Sequence, residues 1–349
     1  MVRIGLLGAG FLADLFMRSL VGIPDSEVKI VFSNAKSGPK SAKAFASKWE
    51  IEDHTSELDK VFEDKRIDTV IIALPNHLHK EAAIKAAGAK KNVICTKPLG
   101  RDAEEAFKML EAVKKADIFH GYAETEVFNP ATVKARTLIE NGGIGKILTI
   151  RSREGHIGPH EKWFLDPVLT GGGVISDLGS HCIEAFRYLV GKDTRPLRVF
   201  SWAKTTLHDI SSEDNAVVLL EFEGNVLATA EVSWTTVGGV DFRNEIFGSE
   251  GLILTDVTRD TSIKVFSRTG IDYVTEKSDS DRGWIFPALD EARMYGYFGA
   301  MKHFVECFNS GIEPRETFAD GYEVNRIMDS AYRSVKSGKW ESLDNQVNT

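Results

Sequence analysis

The sequence predicts an α/β protein in two domains: a doubly wound parallel sheet over residues 1–122, then an α/β domain over 123–340 with a mainly antiparallel, open-faced sheet. Three observations predict it. Short apolar runs alternate with helix-like segments through the first third of the chain, the pattern of repeated βαβ units. A glycine turn joins the first apolar run to the first helical segment. After Tyr122 strand-like runs dominate, and several are separated by Gly-Asn, Gly-Gly or Gly-Ser breaks that read as hairpin or loop signals. Composition narrows the function classes. With 42% hydrophobic and 27% charged residues, the chain of 349 residues is globular and too apolar for disorder. Lys and Arg number 43 against 51 Asp and Glu, and a net charge of −8 without a basic stripe argues against nucleic acid as a partner. No apolar run reaches the roughly 18 residues of a membrane helix. The first residues read as a strand, not a signal peptide, and three dispersed cysteines (95, 182, 307) suit a reduced, cytoplasmic compartment.

The elements follow in order. Val2–Leu7 is a strand, and 11–21 an apolar-periodic helix. Between them Gly8, Gly10 and Ala13 form G-x-G-x-x-A. In a dinucleotide site the first glycine permits the turn, the second lets backbone approach a pyrophosphate, and the small third residue lets helix pack on strand. The helix start, with Phe11 and Leu12, offers free N–H groups to phosphate. Strands at 28–33, 68–74, 92–96 and 118–122 alternate with helices at 40–48, 77–89 and 102–115. Ligands of such sheets bind at the carboxyl ends of the strands. That rule gathers Gly8, Gly10, Phe11 and Leu12 with Ser33, Asn34 and Lys36, with Leu74, Pro75, Asn76 and His79, and with Thr96 and Lys97. The second strand ends in Ser33-Asn34-Ala35-Lys36, with no carboxylate before Glu50. An acidic residue there would favour NAD by binding ribose hydroxyls. Lys36, Lys40 and Lys43 instead can attract a 2′-phosphate or simply form a solvated face, so the reading leans to NADP and leaves NAD open.

Two segments carry chemistry. Lys97, at a strand's carboxyl end, is held extended by Pro98. An ammonium fixed there can stabilise a developing alkoxide, the alternative being a plain surface lysine. Residues 171–181 open with three glycines, and 174–189 reads as a helix that places Asp177 and His181 at i and i+4. A carboxylate beside an imidazole makes a general base, or a merely structural hydrogen bond.

In the second part, 129–141 is an amphipathic helix, and strands fall at 147–154, 197–206, 216–222, 226–234, 242–247 and 252–256. Polar–apolar alternation suits an antiparallel sheet with helices on one face. Trp, Val and Thr on the other face favour a second subunit, hence a homo-oligomer, dimer or tetramer. The loop from 154 to 164 holds His156, His160 and Trp163, groups suited to reading sugar hydroxyls and stacking on C–H faces, unless local hydrogen bonds merely pin the loop. Glu154, His156, Asp177 and His181 lack a tight His-x-x-x-His spacing, and no metal is expected. Amphipathic helices at 297–309 and 321–335 are expected to pack near the domain junction.

Taken together, Gly8-x-Gly10-x-x-Ala13, Pro75-Asn76-x-Leu78-His79, Lys97-Pro98, Asn141-Gly142-Gly143-Ile144-Gly145-Lys146 and the 171–181 segment resemble, in order and spacing over nearly the whole chain, the Gfo/Idh/MocA oxidoreductases. The resemblance implies an N-terminal Rossmann domain, a C-terminal α/β domain with a large sheet, and Lys97, Asp177 and His181 as the matching catalytic positions. It also implies a cis Lys97–Pro98 bond and a substrate loop holding His156, His160 and Trp163. The expected activity is NAD(P)-dependent oxidation of a secondary alcohol of a sugar, sugar acid, cyclitol or glycoside. The alternatives are a non-catalytic cofactor-binding sensor and a dihydrodiol or non-sugar carbonyl enzyme. One departure stands out: many relatives have Glu before Lys-Pro, where this chain has uncharged Thr96.

Overall fold

The computed structural model describes residues 1–159, 161–260, 262–271 and 280–343. Their contacts divide them into two compact units: 1–125 with 296–323, and 126–295 with the residues from Val324 onward.

The first unit is built on six strands: β1 (Val2–Leu7), β2 (Ser26–Phe32), β3 (Asp53–Thr55), β4 (Thr69–Ile72), β5 (Asn92–Thr96) and β6 (His120–Ala123). Their order is β3-β2-β1-β4-β5-β6 and every pairing is parallel. This is the doubly wound order, with its switch point between β1 and β4. Strands covered on both faces read as continuous apolar runs. Accordingly Ile4, Leu6, Leu7, Val70, Ile71, Ile72, Val93 and Ile94 are all buried. Helices α1 (Phe11–Leu20), α2 (Ala42–Trp49), α3 (Leu58–Glu63), α4 (His79–Gly88) and α5 (Ala103–Ala116) connect the strands. α5 shows why such segments start and stop where they do. Asp102 accepts from the Glu105 amide at 2.8 Å, acidic residues fill the first turn and lysines the last, and the helix ends at Asp117 in left-handed conformation. The helix Tyr297–Ser310 packs on α1, where Tyr297 meets Phe16 edge-on at 6.0 Å.

The second unit begins with α6 (Pro130–Glu140), capped by Asn129. Its sheet comprises β7 (Ile147–Gly155), β8 (Pro196–Lys204), β9 (Asn215–Phe222), β10 (Val226–Ser233), β11 (Asp241–Gly248) and β12 (Leu252–Asp256). A hairpin of β13 (Val265–Ser267) and β14 (Gly283–Ile285) stands apart, and β15 (Glu341–Ser342) completes the sheet. The seven-stranded order is β12-β11-β7-β10-β9-β8-β15, antiparallel except for the parallel pair β7–β10. Burial alternates along β9 and β10, and the inward residues Val218, Leu220, Ala228 and Ala230 face the core. α7 (Ser180–Val190) packs behind β7 and β10. The expected uninterrupted helix from 174 is modified: Ile175–Gly179 is a π-turn, and the α-helix proper begins at Ser180. No helix of the described residues is long and apolar enough to cross a membrane.

Candidate active site

The first unit assembles its candidate residues by register. Phe32, Leu7, Ile72, Cys95 and Tyr122 stand side by side across β2, β1, β4, β5 and β6. The next residue of each strand, Ser33, Gly8, Ala73, Thr96 and Ala123, therefore forms the carboxyl edge. Gly8 has φ +118, and a Cβ on it would lie 2.2 Å from the Ala73 carbonyl oxygen. Only glycine fits there. Gly10 is the N-cap of α1 and makes no side-chain capping bond; a Cβ on it would meet nothing within 4 Å. The first-turn N–H groups at Phe11 and Leu12 have no acceptor within their own helix. Open space beside uncapped N–H groups fits the pyrophosphate of a dinucleotide.

The neighbouring loops are braced rather than loose. Ser33 is buried; its hydroxyl donates to the Lys40 carbonyl at 2.7 Å and accepts from the Ala35 amide at 3.3 Å. The loop it closes leaves Asn34 and Lys36 exposed. After β4, Leu74 and Pro75 lead into a short 3-10 turn, Asn76–Leu78, whose Asn76 is buried. His79 has no exposed surface. Its Nε2 lies 2.8 Å from the Leu74 carbonyl, and its Nδ1 lies 3.0 Å from that of Pro98 and 3.3 Å from that of Leu99. Burial lowers its basicity, and the carbonyls oppose that shift. His79 thus sits between the loop after β4 and the loop after β5, and the single N–H of its neutral ring donates to a carbonyl of one of them. In that second loop Thr96 is buried, Lys97 is half-buried, and the Lys97–Pro98 peptide is cis. Arg101 and Lys80 converge on buried Glu105, with N–O distances of 2.5 and 2.8 Å. Burial favours the neutral acid, but the hydrogen bonds from Arg101 and Lys80 outweigh it and hold the Glu105 carboxyl down to about 2.

In the second unit, β7 delivers His156 one residue past its end. The ring is buried; Nδ1 lies 2.8 Å from the Ile157 carbonyl, and Nε2 faces Asp177 Oδ2 at 4.0 Å. Trp234, fully buried just beyond β10, donates its Nε1–H to the same Asp177 oxygen at 2.9 Å. Phe164 meets Trp234 edge-on at 6.2 Å and stacks on half-buried Trp163 at 3.9 Å. His181 is buried one turn on, and its Nδ1 faces Glu126 Oε1 at 3.9 Å. The structure therefore brings His156, Asp177, Trp163 and His181 into one unit with two residues the sequence reading did not single out, Trp234 and Glu126. Asp177 lies within the π-turn and His181 in the first turn of the α-helix that follows it. Trp234 was detectable: it continues the inward parity of Val226, Ala228, Ala230 and Val232 along β10. Glu126 lies in an irregular Glu-Thr-Glu stretch with no periodic signal. His160 lies outside the described residues.

Comparison with known proteins bears on this arrangement. Residues 2–121 match the family described as "Oxidoreductase family, NAD-binding Rossmann fold", and residues 132–254 match the "GFO/IDH/MocA C-terminal domain". The chain is 28% identical to the levoglucosan dehydrogenase of Pseudarthrobacter phenanthrenivorans, covering 97% of each chain. It is also 28% identical to the myo-inositol 2-dehydrogenase of Thermotoga maritima, covering 99% of this chain and 100% of that one. Its fold is similar to that of GenD2 from gentamicin A biosynthesis, solved in complex with NAD, with a TM-score of 0.92 at 24% identity over 99% of this chain and 97% of that chain.

Proposed function

The chain belongs to the GFO/IDH/MocA oxidoreductase family, with its NAD-binding Rossmann domain, and from that premise we propose that it oxidises a secondary alcohol of a cyclitol, sugar, sugar acid or glycoside. The observation that carries the reading is the buried acid–base cluster of the second unit: His156, Asp177, His181 and Glu126 lie on or beside one helix start, in a chain that also has a dinucleotide cradle. Two relatives named for cyclitol and anhydrosugar substrates support the substrate class.

In the proposed roles His181 accepts the hydroxyl proton. Asp177, oriented by the hydrogen bond from the Trp234 indole, stands beside the imidazolium that forms and favours it. Lys97 stabilises the oxygen as it takes on alkoxide character. The nicotinamide, when bound, supplies the hydride acceptor. Gly8, Gly10 and the first-turn amides of α1 hold its pyrophosphate, while Leu74, Pro75, Asn76 and Thr96 line the edge that His79 and Glu105 brace. His156, His160 and Trp163 bind the polyol. Asn34 and Lys36, exposed where an acidic residue would favour NAD, support acceptance of a 2′-phosphate and hence of NADP beside NAD.

The outward face of the large sheet mixes exposed Leu227, Leu252, Leu254 and Trp202 with Arg151, Arg153, Glu231 and Glu245. Such a mixed face supports pairing with a second copy. Three buried, unbridged cysteines and the acidic balance support a reduced, cytoplasmic setting. The test is reduction of NAD and of NADP by a panel of cyclitols, free sugars, sugar acids, glycosides and diols. The expected result is turnover with a cyclitol or pyranose ring. Cofactor binding with no reduction across the panel would instead favour a sensor.

A further inference from the structure

The start of the helix carrying Asp177 and His181 has four amide groups in a row that no residue of its own can satisfy. Two distant residues satisfy all four. The Glu213 carboxylate oxygen Oε1 accepts from the Gly173 amide at 3.1 Å and from the Ile175 amide at 2.9 Å. The Glu213 carbonyl accepts from the Val174 amide at 3.0 Å. The Tyr332 hydroxyl oxygen accepts from the Ser176 amide at 3.1 Å, and the same hydroxyl donates to Glu213 Oε1 at 2.8 Å. The next amide, of Asp177, makes the first bond within the turn, to the Gly173 carbonyl at 3.1 Å.

The glycines before the helix are shaped by the same two residues. A Cβ at Gly172 would lie 1.9 Å from the Tyr332 hydroxyl, and one at Gly173 would lie 2.1 Å from the Glu213 carbonyl oxygen. Gly171 ends the preceding helical turn in left-handed conformation, with φ 88. Glycine at 172 and 173 is thus what lets the clamp close on the backbone.

We propose that Glu213 and Tyr332 are positioning residues: together they cap residues 173–176 and set the π-turn that aims Asp177 and His181. The proposal rests on the catalytic roles given above to Asp177 and His181. Neither clamp residue is assigned to substrate or cofactor. They act through the backbone immediately before Asp177, where a displacement of about 1 Å is enough to cost on the order of a hundredfold in rate.

Four variants are compared with the wild-type chain: Tyr332→Phe, Glu213→Ala, Glu213→Gln and His181→Ala. Each is assayed for kcat and KM with the polyol that gives turnover, for NADH binding, and for folded fraction at the assay temperature. The expected result is that Tyr332→Phe and Glu213→Ala lower kcat by about ten- to a hundredfold while NADH binding and folded fraction hold. Glu213→Gln, which keeps an acceptor oxygen, should retain most of the activity. Amide hydrogen exchange needs no substrate: amides 173–176 should be protected in the wild type and lose protection in Tyr332→Phe and Glu213→Ala. Wild-type kcat in Tyr332→Phe and Glu213→Ala would overturn the proposal. So would losses that track the folded fraction, Glu213→Gln as impaired as Glu213→Ala, or rapid exchange in the wild type. Wild-type kcat in His181→Ala would sink the catalytic reading itself. An inactive His181→Ala beside an intact Tyr332→Phe would sink the clamp alone.

Discussion

His120 ends up buried in the first unit, its Nδ1 accepting a hydrogen bond from the Phe318 amide at 3.1 Å. Burial, with the Lys114 ammonium adding to it, pushes the ring down to about 4. Its folded value then lies below the 6.5 of an unperturbed histidine, so folding favours the neutral ring. That contribution is complete above pH 6.5 and is lost as pH falls from 6.5 towards about 4. Denaturant unfolding of the wild type and of His120→Asn, followed over that range, should show the wild type losing up to about 3 kcal/mol relative to the variant. Parallel pH curves would mean that His120 titrates alike in both states. Single residues also mark the limit of sequence reading. Gly8 and Gly10 announce themselves by spacing, Gly8 because the turn tolerates nothing else and Gly10 because it leaves open space at the helix start. His79 reads as an edge residue by position alone, yet its ring is buried with both nitrogens facing backbone carbonyls, of Leu74 on one side and of Pro98 and Leu99 on the other. Which way a strand-edge side chain turns depends on carbonyls 5 to 20 positions away, and no local pattern records that.

At the scale of elements, the βα alternation of the first unit was legible because buried parallel strands and amphipathic helices leave different periods in the sequence. The turn between β1 and α1 gives a direct test. Gly8→Ala must place a methyl group 2.2 Å from the Ala73 carbonyl oxygen while holding φ at +118. A left-handed conformation alone costs about 1–2 kcal/mol for a residue with a Cβ, and the backbone contact adds to it. Gly10→Ala meets nothing within 4 Å. The expected outcome is a lowered melting temperature for Gly8→Ala, and for Gly10→Ala near-native melting with weakened NADH binding. Equal melting of the two variants would contradict the assigned roles of the two glycines. The helix after Gly173 was legible as a helix but not as a π-turn. The cause is the clamp: Ser176 and Tyr332 stand 156 positions apart, and Ile175 and Glu213 stand 38 apart. Periodicity within a window cannot register partners at that separation.

For the whole molecule, the mainly antiparallel second sheet was expected from alternating strands, and its single parallel pair, β7 with β10, is the part that alternation could not supply. Its outward face bears on assembly. Leu227 stands on β10 opposite Thr149 of β7, which in turn faces Phe247 of β11. Light scattering on the wild-type chain should give a dimer or tetramer, and Leu227→Glu should shift it towards monomer with NADH binding kept. A monomeric wild type, or an unshifted variant, would remove the sheet face as an assembly surface. In the proposed chemistry His181 takes the hydroxyl proton while Lys97 steadies the oxygen. The most direct measurement is the rate of nicotinamide reduction by the active polyol in wild type, His181→Asn and Lys97→Met, with NADH titrated into each. Both variants should bind NADH as the wild type does and turn over at least about a hundredfold more slowly. Turnover at the wild-type rate in either variant, or loss of NADH binding in both, would contradict that chemistry.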